Sequence, residues 1–429
     1  MARVQAVEGS ANHGPASRDL IDSRYAVFRL VVALLLMTIG NGGMYMVVVV
    51  LPVVQAEFGV ARAVASLPYT MTMIGFGIGG MVMGRLADRF GIVLPLLIGA
   101  VSLGAGGVAV GLSGSIWTFT LAQGLLIGFL GCSTTYGPLV ADTTLWFERR
   151  RGIAVAVCAS GNYLAGAVWP PVVQHFVETV GWRHTYFGMG AFCTVTMIGL
   201  ALLMRKRPPL PEARAGSAAA FDAGGASLPF GMSPGRAQAM LCVAAVACCV
   251  AMAMPQVHIV AYCGDLGYGA ARGAQMLSLM LACGIVSRLV SGVICDRIGG
   301  LRTLMLGSAL QGVALLLFLP FDGLVSLYIV SALFGLFQGG IVPAYAIIVR
   351  EHFSAKEAGA RVGAVLMCTM LGMALGGWLS GRIFDITGSY GAAFVNGIAW
   401  NLLNMGIACL LLRRARRPRP ALHADAVVG

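Results

Sequence analysis

Arg288 is the residue best placed to do chemistry in this chain of 429 residues. It sits inside an apolar run, eight residues before Asp296, hence about 12 Å along a helix at ~1.5 Å per residue. A guanidinium at that depth costs at least ~2.5 kcal/mol on insertion scales, so it should face a cavity or a partner. Gly284, Ser287, Ser291, Gly292 and Cys295 form a small, weakly polar stripe around it that leaves room for a ligand. A planar fork of donors suits a carboxylate, which it can hold through two parallel hydrogen bonds. The competing role for such an arginine is to bond backbone carbonyls or to reach the interface by snorkelling.

Other polar residues lie deep in apolar runs and are expected to line a cavity around Arg288. They are Asn41 and Tyr45 early in the chain, Thr135 and Tyr136, Asn162, Gln338 and Thr369. For each, hydrogen bonding between helices is an equally good use. His258, one turn before Tyr262, titrates near neutral pH when unperturbed and is the candidate for carrying a coupling proton. Met276 and Met280 read as packing. No carboxylate lies clearly at the middle of a run, Asp142 being near the end of its own. The 11 cysteines are scattered, without Cys-x-x-Cys and histidine partners, and read as small buried hydrophobes rather than a metal site or disulfide framework. No nucleotide-binding loop is present. Neither catalysis, nor a cofactor, nor a metal is expected.

The elements that position these residues follow from composition. The chain is 58% hydrophobic and 11% charged, with a mean hydropathy of +0.84. Soluble domains carry about 25% charged residues. With so few charges, lipid must be the solvent. The 59 glycines fit, because small residues let membrane helices approach closely. Twelve runs are near the ~20 residues that cross a bilayer: 27–52, 66–86, 92–113, 117–141, 152–175, 184–204, 238–262, 274–295, 301–320, 325–349, 361–383 and 391–412. Pro170 and Pro171 should make the fifth the least regular. Residues 1–26 lack a signal-peptide layout and read as a tail. Six runs (27–204) are divided from six (238–412) by the Pro-, Ala- and Gly-rich stretch 205–237, a flexible linker, and a basic tail occupies 413–429.

Of the 29 Lys and Arg, 24 fall in alternate loops and tails that share one side with the N-terminus. Arg62, Arg183, Arg272 and Arg382 fall on the other side, and Arg288 lies within a run. Positive charge collects on the cytoplasmic side, so both termini should be cytoplasmic. The net charge of +12 is then a topology signal beside anionic headgroups rather than a nucleic-acid footprint.

The two halves are also copies. Gly84-Arg85-Leu86-Ala87-Asp88-Arg89-Phe90-Gly91 returns 208 residues later, degraded, as Gly292-Val293-Ile294-Cys295-Asp296-Arg297-Ile298-Gly299. Phe147–Gly152 is echoed by Phe353–Gly359, and Gly181-Trp182-Arg183 by Gly388-Ser389-Tyr390, at nearly the same offset. These are parallel repeats of six spans each.

Six plus six spans, a central loop, and Gly-x-Leu-Ala-Asp-Arg-x-Gly between spans two and three resemble the major facilitator superfamily over residues 25–412. The resemblance implies an all-α integral membrane protein whose 12 transmembrane helices form two six-helix bundles. It also implies a gate. Gly84, Asp88, Arg89, Gly91 and their counterparts Asp296, Arg297 and Gly299 would latch the cytoplasmic face in the outward-open state. Within the superfamily, Trp146-Phe147-Glu148-Arg149-Arg150-Arg151-Gly152-Ile153-Ala154 is similar to the signature of the monocarboxylate transporter branch, which includes oxalate/formate-type antiporters. Asn41-Gly42-Gly43-Met44-Tyr45 matches that branch's first-span signature poorly. An eighth-span arginine is where these relatives are understood to hold the substrate carboxylate. The acid expected one turn earlier is Gly284 here, the first span has no lysine, and 361–383 has only Arg361 and Arg382, at its ends. One buried cation suits one carboxylate.

The expectation is a secondary active transporter, not an enzyme, that moves a small organic monoanion by alternating access with proton symport. Exchange of organic anions, and multispecific export of amphipathic compounds, are the alternatives. Expected partners are a small organic acid, protons or a counter-anion, and the bilayer, without nucleic acid. The excess of Arg over Lys points to a bacterial inner membrane.

Overall fold

The computed structural model describes residues 20–206 and 229–415. The stretch 207–228, most of the expected linker, lies outside the described residues, as do 1–19 and the basic tail from 416. What is described is helical, in twelve rods: α1 Arg24–Phe58, α2 Leu67–Phe90, α3 Val93–Gly111, α4 Ile116–Trp146, α5 Arg151–Val180 and α6 Trp182–Leu203, then α7 Pro234–Asp265, α8 Ala270–Ile298, α9 Gly300–Leu317, α10 Leu324–His352, α11 Ala355–Thr387 and α12 Tyr390–Ala415. Eleven are long and apolar enough to cross a membrane; in α2, glycine, threonine and tyrosine dilute the apolar stretch. Most rods overshoot the apolar runs by several residues, because a helix continues past the hydrocarbon edge. Exposed Leu112, Trp117, Val195 and Val325, all on rod exteriors or ends, make sense only against lipid.

The expected irregularity of the fifth span is corrected. α5 runs unbroken through Pro170 and Pro171. The interrupted rods are α1, α4 and α10 instead. α1 breaks at Asn41 between Gly40 and Gly42, α4 passes through a π segment (Gln123–Gly131) and a 3-10 turn (Cys132–Thr135), and α10 breaks at Gly339-Gly340. Glycine and short polar side chains permit these breaks, since both weaken the helix and offer other partners to freed backbone groups.

The repeat is visible in the backbone. Both α2 and α8 end on a glycine with positive φ, Gly91 at 87° and Gly299 at 82°, each donating its N–H to the carbonyl four residues back. Only glycine takes that conformation without strain. The bundles meet mainly along α2 with α11, α5 with α8, and α1 with α7. The N- and C-terminal ends of the described chain, and the turns after α2 and α8, share one face, called here the terminal face; the opposite one is the far face.

One buried ion pair ties the first bundle together at its terminal end. Arg29 of α1 is 3% exposed and grips Asp142 of α4 through Nη2 at 2.9 Å and 3.0 Å and Nε at 3.2 Å. Its Nη1 donates to the carbonyls of Met204 and Lys206 after α6, and its guanidinium lies 4.4 Å from the Trp146 ring. Counting Arg29 with the loop charges is therefore corrected: it is an internal clamp. Removing one partner strands a buried charge, so Arg29→Met should cost about 3–5 kcal/mol. The check is a lower melting temperature for the detergent-solubilised protein, largely recovered when Asp142→Leu is added to Arg29→Met.

Candidate functional site

Between the bundles lies a cavity of about 320 Å³, walled by α1, α2, α4 and α5 on one side and α7, α8, α10 and α11 on the other. Among the described residues, Arg288 is the only charged side chain in that wall. Its guanidinium lies 4.4 Å from the centre of the Tyr163 ring, and Nη1 donates to the Ala159 carbonyl of α5 at 2.9 Å. Nε is buried without a partner, and no described carboxylate forms an ion pair with the side chain. The side chain thus sits in both of the surroundings weighed from the sequence. The side chain does bond a backbone carbonyl, yet it faces a cavity with donors to spare.

The small stripe on α8 serves a different purpose from the one expected. A Cβ on Gly284 would strike the Tyr163 ring, so that glycine makes room for a protein ring, not for a ligand. Ser287 and Ser291 pack against Gly339 and Gly340 at the break in α10. Tyr45 and Tyr136 do line the cavity beside Arg288, together with Tyr163 and Asn162, whose Oδ1 accepts from the Tyr45 hydroxyl at 3.5 Å. These build a polar corner of one cation, three phenols and an amide.

Four other expected lining residues are turned away from the cavity. Asn41, fully buried, donates to the Met37 carbonyl at 2.8 Å and to Thr135 Oγ1 at 3.2 Å, pinning the break in α1 to the break in α4. Thr135 and Thr369 return their hydroxyls to their own helices, at Cys132 and Leu366. Gln338 stands behind Gln256, accepting from its Nε2 at 2.9 Å, and Gln256 is the one that reaches the wall. The broken helices explain Asn41 and Thr135: freed backbone needs polar neighbours, and these residues supply them. His258 is also outside the wall. It is fully buried, its ring bonds the Gly377 carbonyl of α11 through Nε2 at 2.8 Å, and Nδ1 has no partner. Met276 and Met280 are core, as expected.

The cavity is shut on the far face and open on the terminal face. Arg62, in the short helix Arg62–Ala65 between α1 and α2, was read from the sequence only as a loop charge, but it closes the far side. Its guanidinium bonds Asp265 at 2.9 Å and the Tyr390 hydroxyl, and lies 4.6 Å from the Phe384 ring. The backbone N–H groups of Arg62 and Ala63 each donate to the Asp385 carboxylate at 2.8 Å. Every partner belongs to the second bundle. Thr70 Oγ1 to Ala374, and Ser278 Oγ to Ala167, fasten the same half of the crevice.

Towards the terminal face the helices part. Gly377 packs on Tyr69 and Gly381 on the Ala63 backbone, whereas Gly80 and Gly84 of α2 and Gly359 and Gly363 of α11 face open space. Gly84 thus provides no tight packing in this conformation. Asp88, Arg89, Asp296 and Arg297 are exposed, and no hydrogen bond or ion pair of either Asp appears among the described residues.

Two broken-helix bundles around one central cavity, sealed on one face and open on the other, define a multi-pass membrane transporter. The chain belongs to the Major Facilitator Superfamily, whose sequence profile matches residues 33–324 and 239–426. It is similar to Monocarboxylate transporter 13 of Rattus norvegicus (25% identical, covering 81% of this chain and 79% of that one) and of Bos taurus (27%, 81% and 79%). An MFS-type transporter of Aspergillus niger is 22% identical over 80% of this chain and 77% of its own. Among solved structures, the fold resembles a bacterial homolog of the human lysosomal transporter Spinster in an inward-facing conformation (TM-score 0.69, 14% identity, 93% of this chain and 100% of that one). The nucleoside transporter NupG is similar to the same degree (TM-score 0.70, 12% identity, 91% and 100%).

Proposed function

We propose that this transporter carries a small organic monoanion, a monocarboxylate, by alternating access, with the carboxylate held by Arg288. The observation that carries the reading is a lone guanidinium in the cavity wall, with an orphaned Nε and no acidic partner. A half-buried cation without a counter-ion is costly, and an incoming carboxylate supplies the missing charge and acceptors. The similarity to two monocarboxylate transporters points the same way.

The terminal face is read as cytoplasmic, from its excess of Lys and Arg, which makes this conformation inward-open. The Arg62 cluster is then the extracellular lock, and the Asp88 and Asp296 turns are the cytoplasmic latch that engages when the lock releases. Proton symport is the energy source, with His258 as the proton carrier, because its free Nδ1 lies in the same bundle as the lock's partners Asp265, Asp385 and Tyr390, and its ring centre is 6.3 Å from that of Tyr390. The site lies in a bacterial inner membrane on this reading.

A second reading is favoured by one observation each from the cavity and the relatives: the methionine-rich wall, and an agnestins efflux protein of Paecilomyces divaricatus that is 22% identical over 78% of this chain. Export of a larger amphipathic acid would use the same clamp. Proteoliposome uptake tests the coupling. Symport predicts that an inward proton gradient drives accumulation of a labelled monocarboxylate, that His258→Gln abolishes accumulation, and that counter-anion exchange survives the change. Accumulation that needs only a preloaded anion would overturn symport in favour of exchange.

A further inference from the structure

Resting on the carboxylate reading above, we propose that the cargo's body is aromatic: an arylalkanoate, with its carboxylate on Arg288 and its ring against the methionine wall. The cavity has two unlike ends. Arg288 and the phenols of Tyr45, Tyr136 and Tyr163 make the polar corner, and the rest is apolar. Seven of the lining residues are methionines, including Met73 on α2, Met252 on α7 and Met370 and Met373 on α11, with Phe76 and Tyr69 among them.

Size argues against the smallest acids. At ~30 Å³ per water in the liquid, about 320 Å³ admits roughly ten water-sized groups. A two- or three-carbon acid would fill the polar corner and leave the apolar wall unoccupied. Chemistry then chooses among larger bodies. Thioether sulfurs are polarizable, and sit well at ring edges; an unbranched side chain also adapts to a flat guest. The cavity is capped at the far face by Tyr69 on Gly377, so a long aliphatic chain could extend only out through the open terminal face, away from the methionine wall, whereas a short aromatic body stays against it. Gln256 completes the fit. The residue lines the cavity and its Nε2 is bonded to Gln338, so its Oε1 is the atom left to accept from a polar ring substituent.

The test is equilibrium binding to the purified full chain in detergent, read by calorimetry. The probes are phenylacetate, cyclohexylacetate, lactate and the uncharged phenylacetamide. Phenylacetate should bind at least tenfold tighter than lactate and several-fold tighter than cyclohexylacetate. Met73→Leu with Met370→Leu, which keeps volume and removes sulfur, should erase the ring preference without weakening cyclohexylacetate. Lactate binding as tightly as phenylacetate would overturn the aromatic inference and leave the carboxylate reading standing. Phenylacetamide matching phenylacetate would overturn both, since the charge would then be irrelevant. Unchanged ring preference in the double variant would overturn the role of the methionine wall.

Discussion

Arg288→Lys should lower carboxylate transport by about 100-fold while the protein still folds. The estimate follows from hydrogen bonding. Bonds to charged groups contribute about 1.5–3 kcal/mol each, and lysine cannot present two parallel donors to one carboxylate. Losing one such bond and the fixed geometry removes roughly 3 kcal/mol, or two powers of ten. Folding survives because an ammonium can still donate to the Ala159 carbonyl, the one protein bond Arg288 makes in this conformation. The measurement is initial uptake rate in proteoliposomes beside melting temperature. Normal transport in this variant would remove Arg288 from the clamp, and with it the monoanion reading.

Arg62→Ala has the second large effect, on conformation rather than affinity. The side chain bridges the bundles through Asp265, Tyr390 and the Phe384 ring, and all of those contacts vanish together. Part of the loss is offset because Asp385 keeps its two backbone N–H donors. Asp265, 41% exposed, is rehydrated and contributes little. A net weakening of about 1.5–3 kcal/mol moves a two-state equilibrium by roughly 10- to 150-fold away from the form closed at the far face. Spin labels at Arg85 on α2 and Gly359 on α11, on either side of the open crevice, should report a shorter distance in the variant than in the parent. An unchanged distance distribution would mean that Arg62 is a structural pin and not a lock. Combining Arg62→Ala with Asp385→Asn should give less than the sum of the single shifts, because both act on one junction.

Much of the architecture was legible in the residues, for reasons that are easy to state. Hydropathy marks what must face lipid, and the glycines at 91 and 299 mark turns that no other residue makes cheaply. The cavity was only partly legible. Arg288 announced itself because charge in an apolar run is expensive wherever it points. Tyr45 and Tyr136 were found among polar residues, but so were Asn41, Thr135 and Thr369, which bond neighbouring backbone or each other. Burial depth does not reveal which way a helix faces when the helix is hydrophobic on all sides. Tyr69 and Tyr163 were missed for that reason, since each looks like ordinary core. Arg29 and Arg62 were missed for another: near a helix end, a charge reads as solvated until its partner is seen, and both partners are remote in sequence.

The bond from Arg288 to Ala159 has a consequence for how the loaded and empty carrier differ. The side chain is rooted in one bundle and anchored on the other, 129 positions away in the chain. Any anion it holds is therefore shared between two bodies that must rotate against each other. Cargo on this residue would sit astride the joint, so occupancy would alter the friction of the swing as well as the charge that crosses. In such a machine the passenger is also a bearing.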